Sequence, residues 1–137
     1  MERTVLVIKL DDIPAGVPNP PPWQVLYHND SENRREMLPE AHTDGLLKLG
    51  VPELLIRKAP PGIAAAILDR LGIYLIFQKG TLTEGLIVAI DEVGYIIVPT
   101  VREGKPTYRL AWPRDPDDGG SSKDFQMAMN LFKLKGA

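Results

Sequence analysis

The chain has no cysteine and only two histidines in 137 residues. The first absence removes disulfides, thiolate nucleophiles and zinc–cysteine sites together. It fits a reducing compartment, so a cytoplasmic protein is expected. No apolar run approaches the ~20 residues of a membrane-spanning helix. The opening MERTVLVIKLDD holds a short apolar run, Val5 to Ile8, that ends before two aspartates, which is not the pattern of a secretory leader. An excess of positive charge is also lacking. The formal net charge is -2, so nothing draws the chain electrostatically to nucleic acid or to an anionic membrane, and neither is expected as a partner. Gly-x-Ser-x-Gly, phosphate-loop and Gly-x-Gly-x-x-Gly patterns are absent, as is a Glu-x-x-His helix.

What is present is an ordinary globular mixture, 44% hydrophobic and 25% charged. Its length suits a single domain over residues 1–137. Thr4 to Leu10 is β-branched and apolar and predicts a first strand. A connection over residues 11–22 carries five prolines, which fix φ and remove donors, so it is neither helix nor central strand. Trp23 to His28 predicts a second strand. The polar run Asp30 to Glu40 predicts a solvated loop or a short helix stopped by Pro39. Pro52 to Lys58 predicts a strand. APPGIAAAILDRLG predicts a helix with proline in its first turn and Gly72 as its stop. IYLIFQ, LIVAID, YIIVPTV and TYRLAW then read as a meander of short strands, with Pro99 at an edge or bulge. A last amphipathic helix is expected over about 122–135, with Ser121 and Asp124 in a capping-box pattern. Together these predict an α+β domain: a mostly antiparallel sheet of about five to seven strands packed against two main helices.

From His42 onward the chain carries four short motifs in order. They are His42-Thr43-Asp44-Gly45-Leu46; Gly50-Val51-Pro52-Glu53-Leu54; Pro61 followed by Ala65, Ala66 and Leu68; and Leu110-Ala111-Trp112-Pro113-Arg114-Asp115. Over about residues 41–118 this resembles a mostly bacterial family of unknown function, DUF 4262. His42, Asp44 and Val51 depart from the residues usual there. The resemblance implies a similar fold and supplies no reaction.

The two histidines each precede an aspartate by two residues, His28 with Asp30 and His42 with Asp44. Residues two apart on a strand share a face, so each pair could ligate a divalent ion, or the aspartate could orient the histidine. The plainer reading makes them turn residues, Asp44-Gly45 in particular. His42 with Asp44 is the best acid–base candidate. Thr43 beside it is a poor nucleophile, because neighbours on a strand face opposite sides. Glu53 either caps a turn or faces a pocket. Trp112, Arg114 and Asp115 lie where a strand leaves the sheet; with Glu53 and Thr43 they are the expected binding residues, although a tryptophan in the place of Trp112 is more often a core lid than a ligand platform. The expected function is a small cytoplasmic binding or protein-interaction module, such as an adaptor or inhibitor, without a cofactor and more a binder than an enzyme. Its partner would be a protein or a small ligand. The alternative is a metal-dependent hydrolase using His28, Asp30, His42 and Asp44. A symmetric homodimer built through an edge strand or the C-terminal helix is a further expectation.

Overall fold

Among the described residues seven strands form, most of them where β-branched and apolar residues cluster between turn signals: β1 (Val5–Ile8), β2 (Gln24–Asn29), β3 (Pro39–Asp44), β4 (Glu53–Arg57), β5 (Ile87–Ile90), β6 (Val93–Arg102) and β7 (Lys105–Ala111). The structure is a computed structural model that describes residues 5–11, 13–29, 39–91 and 93–111; at 28, 29, 39 and 61 it describes the backbone alone. The strands join in one sheet in the order β1-β5-β6-β7-β4-β3-β2.

This corrects the expected architecture. The sheet is mixed, because β1 pairs in parallel with β5 and β4 in parallel with β7. One α-helix, α1 (Pro61–Ile76), is found among the described residues, in place of two main helices on an antiparallel sheet. Both parallel pairs join segments far apart in sequence, and such pairings leave no turn signal to read. The expected helix at about 122–135 lies outside the described residues, as do Ser121 and Asp124.

The helix begins as the sequence predicts, with Pro60 at its N-cap and Pro61 in its first turn. It does not stop at Gly72. Ile73 to Ile76, expected as the start of a strand, complete its last turn, and Ile73 and Leu75 are buried. Gly72 serves close approach: a Cβ there would lie 2.6 Å from the Trp23 ring. Trp23 is buried against the helix, and its indole N–H donates to Asp69 at 2.9 Å. The Arg70 guanidinium donates to the Leu10 carbonyl, so α1 also fixes the start of the Pro-rich connection.

α1 packs over the β2–β3–β4 half of the sheet. Ile67, Leu68 and Leu71 of the helix and Leu54, Ile56 and Leu110 of the sheet are fully buried. Each contributes on the order of 1.5–3 kcal/mol of transfer free energy. Pro99 sits inside β6, opposite Tyr108 of β7. The β5 ladder ends at Ile96, so on its other side Pro99 has no strand neighbour and its missing N–H breaks no ladder bond.

Candidate functional site

The face of the sheet away from α1 carries Glu40, His42 and Asp44 on β3, alternating as a strand requires. Register places Glu40 opposite Arg57, His42 opposite Leu55, and Leu55 opposite Arg109. On the outer side, Leu26 of β2 faces His42 and Gln24 faces Asp44.

Glu40 also meets Arg102, at the far end of β6. Its Oε2 accepts from Arg57 Nε at 3.0 Å and its Oε1 from Arg102 Nε at 3.2 Å. Glu40 is level with Arg57, one residue past the Ile56–Leu110 pair, and hence with Ala111, which pairs with Ile96. Arg102 lies six residues beyond Ile96 on a strand three places away. In a flat sheet that separation would be roughly 14 Å sideways and 20 Å along the strands. The contact therefore requires the β6–β7 hairpin to curl over this face. It is free to do so. Beyond Ile97 β6 has left β5, and before Thr107 β7 has not reached β4, so the tip is a two-stranded ribbon. Burial pushes the Glu40 carboxyl up, but hydrogen bonds and charge from the two arginines outweigh it and hold the group below its ordinary value.

Under the curled tip lies a cleft of about 140 Å³, walled on one side by Leu26 and His42 to Asp44 and on the other by Arg102, Glu103, Lys105 and Thr107, with Glu53 at its base. Glu53 is buried and fully engaged. Its Oε1 accepts from the Thr43 hydroxyl at 2.8 Å and the Leu46 amide at 3.1 Å; its Oε2 accepts from the amides of Gly45 at 3.3 Å and Leu47 at 3.2 Å. Thr43 Oγ1 in turn accepts from the Leu54 amide at 2.9 Å, taking over from the β3–β4 ladder where it ends. Glu53 thus caps the turn that leads into the short 3-10 helix Leu47–Leu49. Gly45, at φ 121°, makes that turn and lies against the backbone of Trp23.

His42 is buried, and its Nδ1 lies 3.1 Å from the Thr43 carbonyl. A carbonyl only accepts, so Nδ1 carries the proton in that bond. Arg102 is engaged by Glu40 and by Glu103, at 3.5 Å. Asp44 and Lys105, both exposed and one on each wall, are the charged lining residues whose side chains make no hydrogen bond or ion pair among the described residues.

Of the residues singled out in the sequence, the fold gathers Thr43, Glu53, His42 and Asp44 at one place. Trp112, Arg114, Asp115 and Asp30 lie outside the described residues, and of His28 only the backbone is described. That backbone is opposite Glu40 in the β2–β3 register. No group of three or more Asp, Glu or His side chains among the described residues is placed to hold a metal ion. Lys105, Arg102 and Glu40 were not singled out in the sequence. Register decides their places, and nothing local announces it. The cleft is also walled by the start of β7, whereas the sequence pointed to its end.

No helix among the described residues is long and apolar enough to cross a membrane. Compared with models of known protein families, with curated proteins and with solved structures, the chain gives no match. The resemblance to DUF 4262 therefore rests on its motifs.

Proposed function

We propose that this protein is a cytoplasmic binding module, without catalytic activity, that takes a small zwitterion such as an amino acid or short peptide in the cleft beneath the β6–β7 tip. One observation carries the reading. The cleft's buried carboxylate, Glu53, is consumed by four donors, and Arg102 is consumed by Glu40 and Glu103. The charges left over are one carboxylate, Asp44, and one ammonium, Lys105, on facing walls. A ligand carrying both signs matches them, and Leu26 offers the small apolar contact such sites contain. A volume near 140 Å³ suits a molecule of that size.

The test is a titration of the isotope-labelled full chain with a panel of free amino acids and dipeptides, followed by NMR. Shifts should converge on residues 42–45 and 102–107 and saturate. A panel that moves no resonance in either segment contradicts the proposal.

A second reading, a metal-dependent hydrolase using His28, Asp30, His42 and Asp44, is favoured by the register, in which the His28 backbone lies two residues along β2 from the partner of His42. Elemental mass spectrometry of the purified protein and of His42→Ala separates the two. Stoichiometric metal lost in the variant supports the hydrolase, and metal-free wild type removes it.

A further inference from the structure

The two outer strands of the sheet differ in how they are protected. β1 is four residues long and runs directly into Lys9 and Asp11. Short strands and flanking charge are the usual means of keeping an edge from pairing with another chain. β2 has neither. It is six residues, QVLYHN, with no formally charged residue and no proline. It pairs with β3 over its whole length without a bulge. Leu26 is 38% exposed on the cleft face and Tyr27 48% exposed on the opposite face. Among the described residues nothing pairs with its outer side.

We infer that β2 is the seam of a symmetric dimer, in which a second copy adds its own β2 antiparallel to the first. Residues directly opposite in an antiparallel ladder point to the same face. A two-fold axis perpendicular to the sheet must therefore pass through a residue, not between two. Centred on Leu26, the axis sets Leu26 against the partner's Leu26. It also sets Val25 against the partner's Tyr27, twice, and Gln24 against the partner's His28, twice. The first two are apolar and aromatic–β-branched pairs, the kind that stabilise neighbouring strands. No like charges oppose each other. The second copy is favoured over an unrelated strand because the segment is complementary to itself in this register. The arrangement also bears on the cleft. Leu26 stands at its outer rim, so the partner's Leu26 would close the side that a single chain leaves open. The dimer is inferred from β2 alone and does not depend on what the cleft binds.

The absence of cysteine makes the test clean, since any single introduced thiol is the only one in the chain. In the Leu26-centred register two Cβ atoms at position 26 are about 4.5–5.5 Å apart, close to the reach of a disulfide. Two at position 27 are roughly 8 Å apart, being displaced by two residues along the ladder. Leu26→Cys should therefore give a disulfide-linked dimer under mild oxidation, and Tyr27→Cys should not. Unmodified protein should sediment with twice the chain mass. Tyr27→Lys, at a position outside the cleft lining, should shift it to one chain mass with the same circular dichroism. Unmodified protein that stays monomeric at high concentration overturns the inference. So does crosslinking through position 27 in place of 26, or a monomer that takes up an unrelated extended peptide along β2.

Discussion

Two carboxylates stand on the same face of β3 and β4, and they are held in opposite ways. Glu53 is buried and bound by three backbone amides and one hydroxyl, all from residues 43–47. Glu40 is partly exposed and bound by two guanidinium groups, one from β4 and one from the far end of β6. The first makes a rigid local turn. The second ties down a ribbon that the ladder alone would leave free. The cleft lies between these two devices, its base fixed by one and its cover held by the other.

Removing Glu53 should have the largest effect. Glu53→Ala orphans four donors in a buried site, and a loss of about 3 kcal/mol or more is expected from the desolvation of unpaired groups. Glu53→Gln retains one acceptor oxygen and should lose about half as much. Chemical denaturation of both variants measures this, and equal losses would show that the one oxygen kept by Gln restores nothing without the second. Thr43→Val keeps the shape but removes a donor to Glu53 and the acceptor of Leu54 N–H; roughly 1.5–2 kcal/mol of destabilisation is expected.

Glu40→Gln should cost less, on the order of 1 kcal/mol or below, because the ion pairs are partly solvated. Its mark should be pH dependence. A carboxyl whose folded pKa lies below its ordinary 4.5 contributes stability that is full above that value and is lost as pH falls through the folded value. The wild type should therefore lose more stability than Glu40→Gln on acidification from pH 6 to 3. Asp69 acts in the opposite sense. Burial raises its carboxyl more than the Trp23 indole lowers it, so its ionisation costs stability as pH rises through the interval between the unfolded and folded values. Comparing thermal melts of wild type, Glu40→Gln and Asp69→Asn across that range separates the two contributions. Parallel curves for wild type and Glu40→Gln would mean that the two arginines do not hold the Glu40 carboxyl down.

The smallest effect on stability is expected at Asp44 and Lys105. Asp44→Asn and Lys105→Gln should leave the denaturation midpoint within about 0.5 kcal/mol of wild type, as for surface positions without partners. Each should weaken zwitterion binding by roughly tenfold or more, the scale of one charge-assisted hydrogen bond.

The same contrast explains what the sequence disclosed. Glu53 was legible because its partners lie within ten residues. A Pro-Glu at the head of a strand, after a Thr and an Asp-Gly turn, has few ways to fold. The turn at Gly45 was legible for the same reason. The Glu40 clasp was not, since it depends on β7 pairing with β4 and on the curl of the hairpin. Gly72 shows a related failure. A glycine after an apolar helix reads as its stop, but a tryptophan far away in sequence needed a bare Cα and the helix ran on. Pro99 could be assigned to an edge, yet the edge exists only because β5 ends before it. Local turn chemistry was written in the chain, and long-range pairing, which set the parallel strands and the cover of the cleft, was not.

The cleft is proposed to recognise a ligand by its two opposite charges. Titrating the protein with a dipeptide, its N-acetylated form and its C-terminal amide tests it directly, without altering the protein. Saturable binding of the free dipeptide is expected, with a loss of at least about tenfold for each blocked form, one for each charged wall. Equal affinity for all three, or no binding by any, would contradict it.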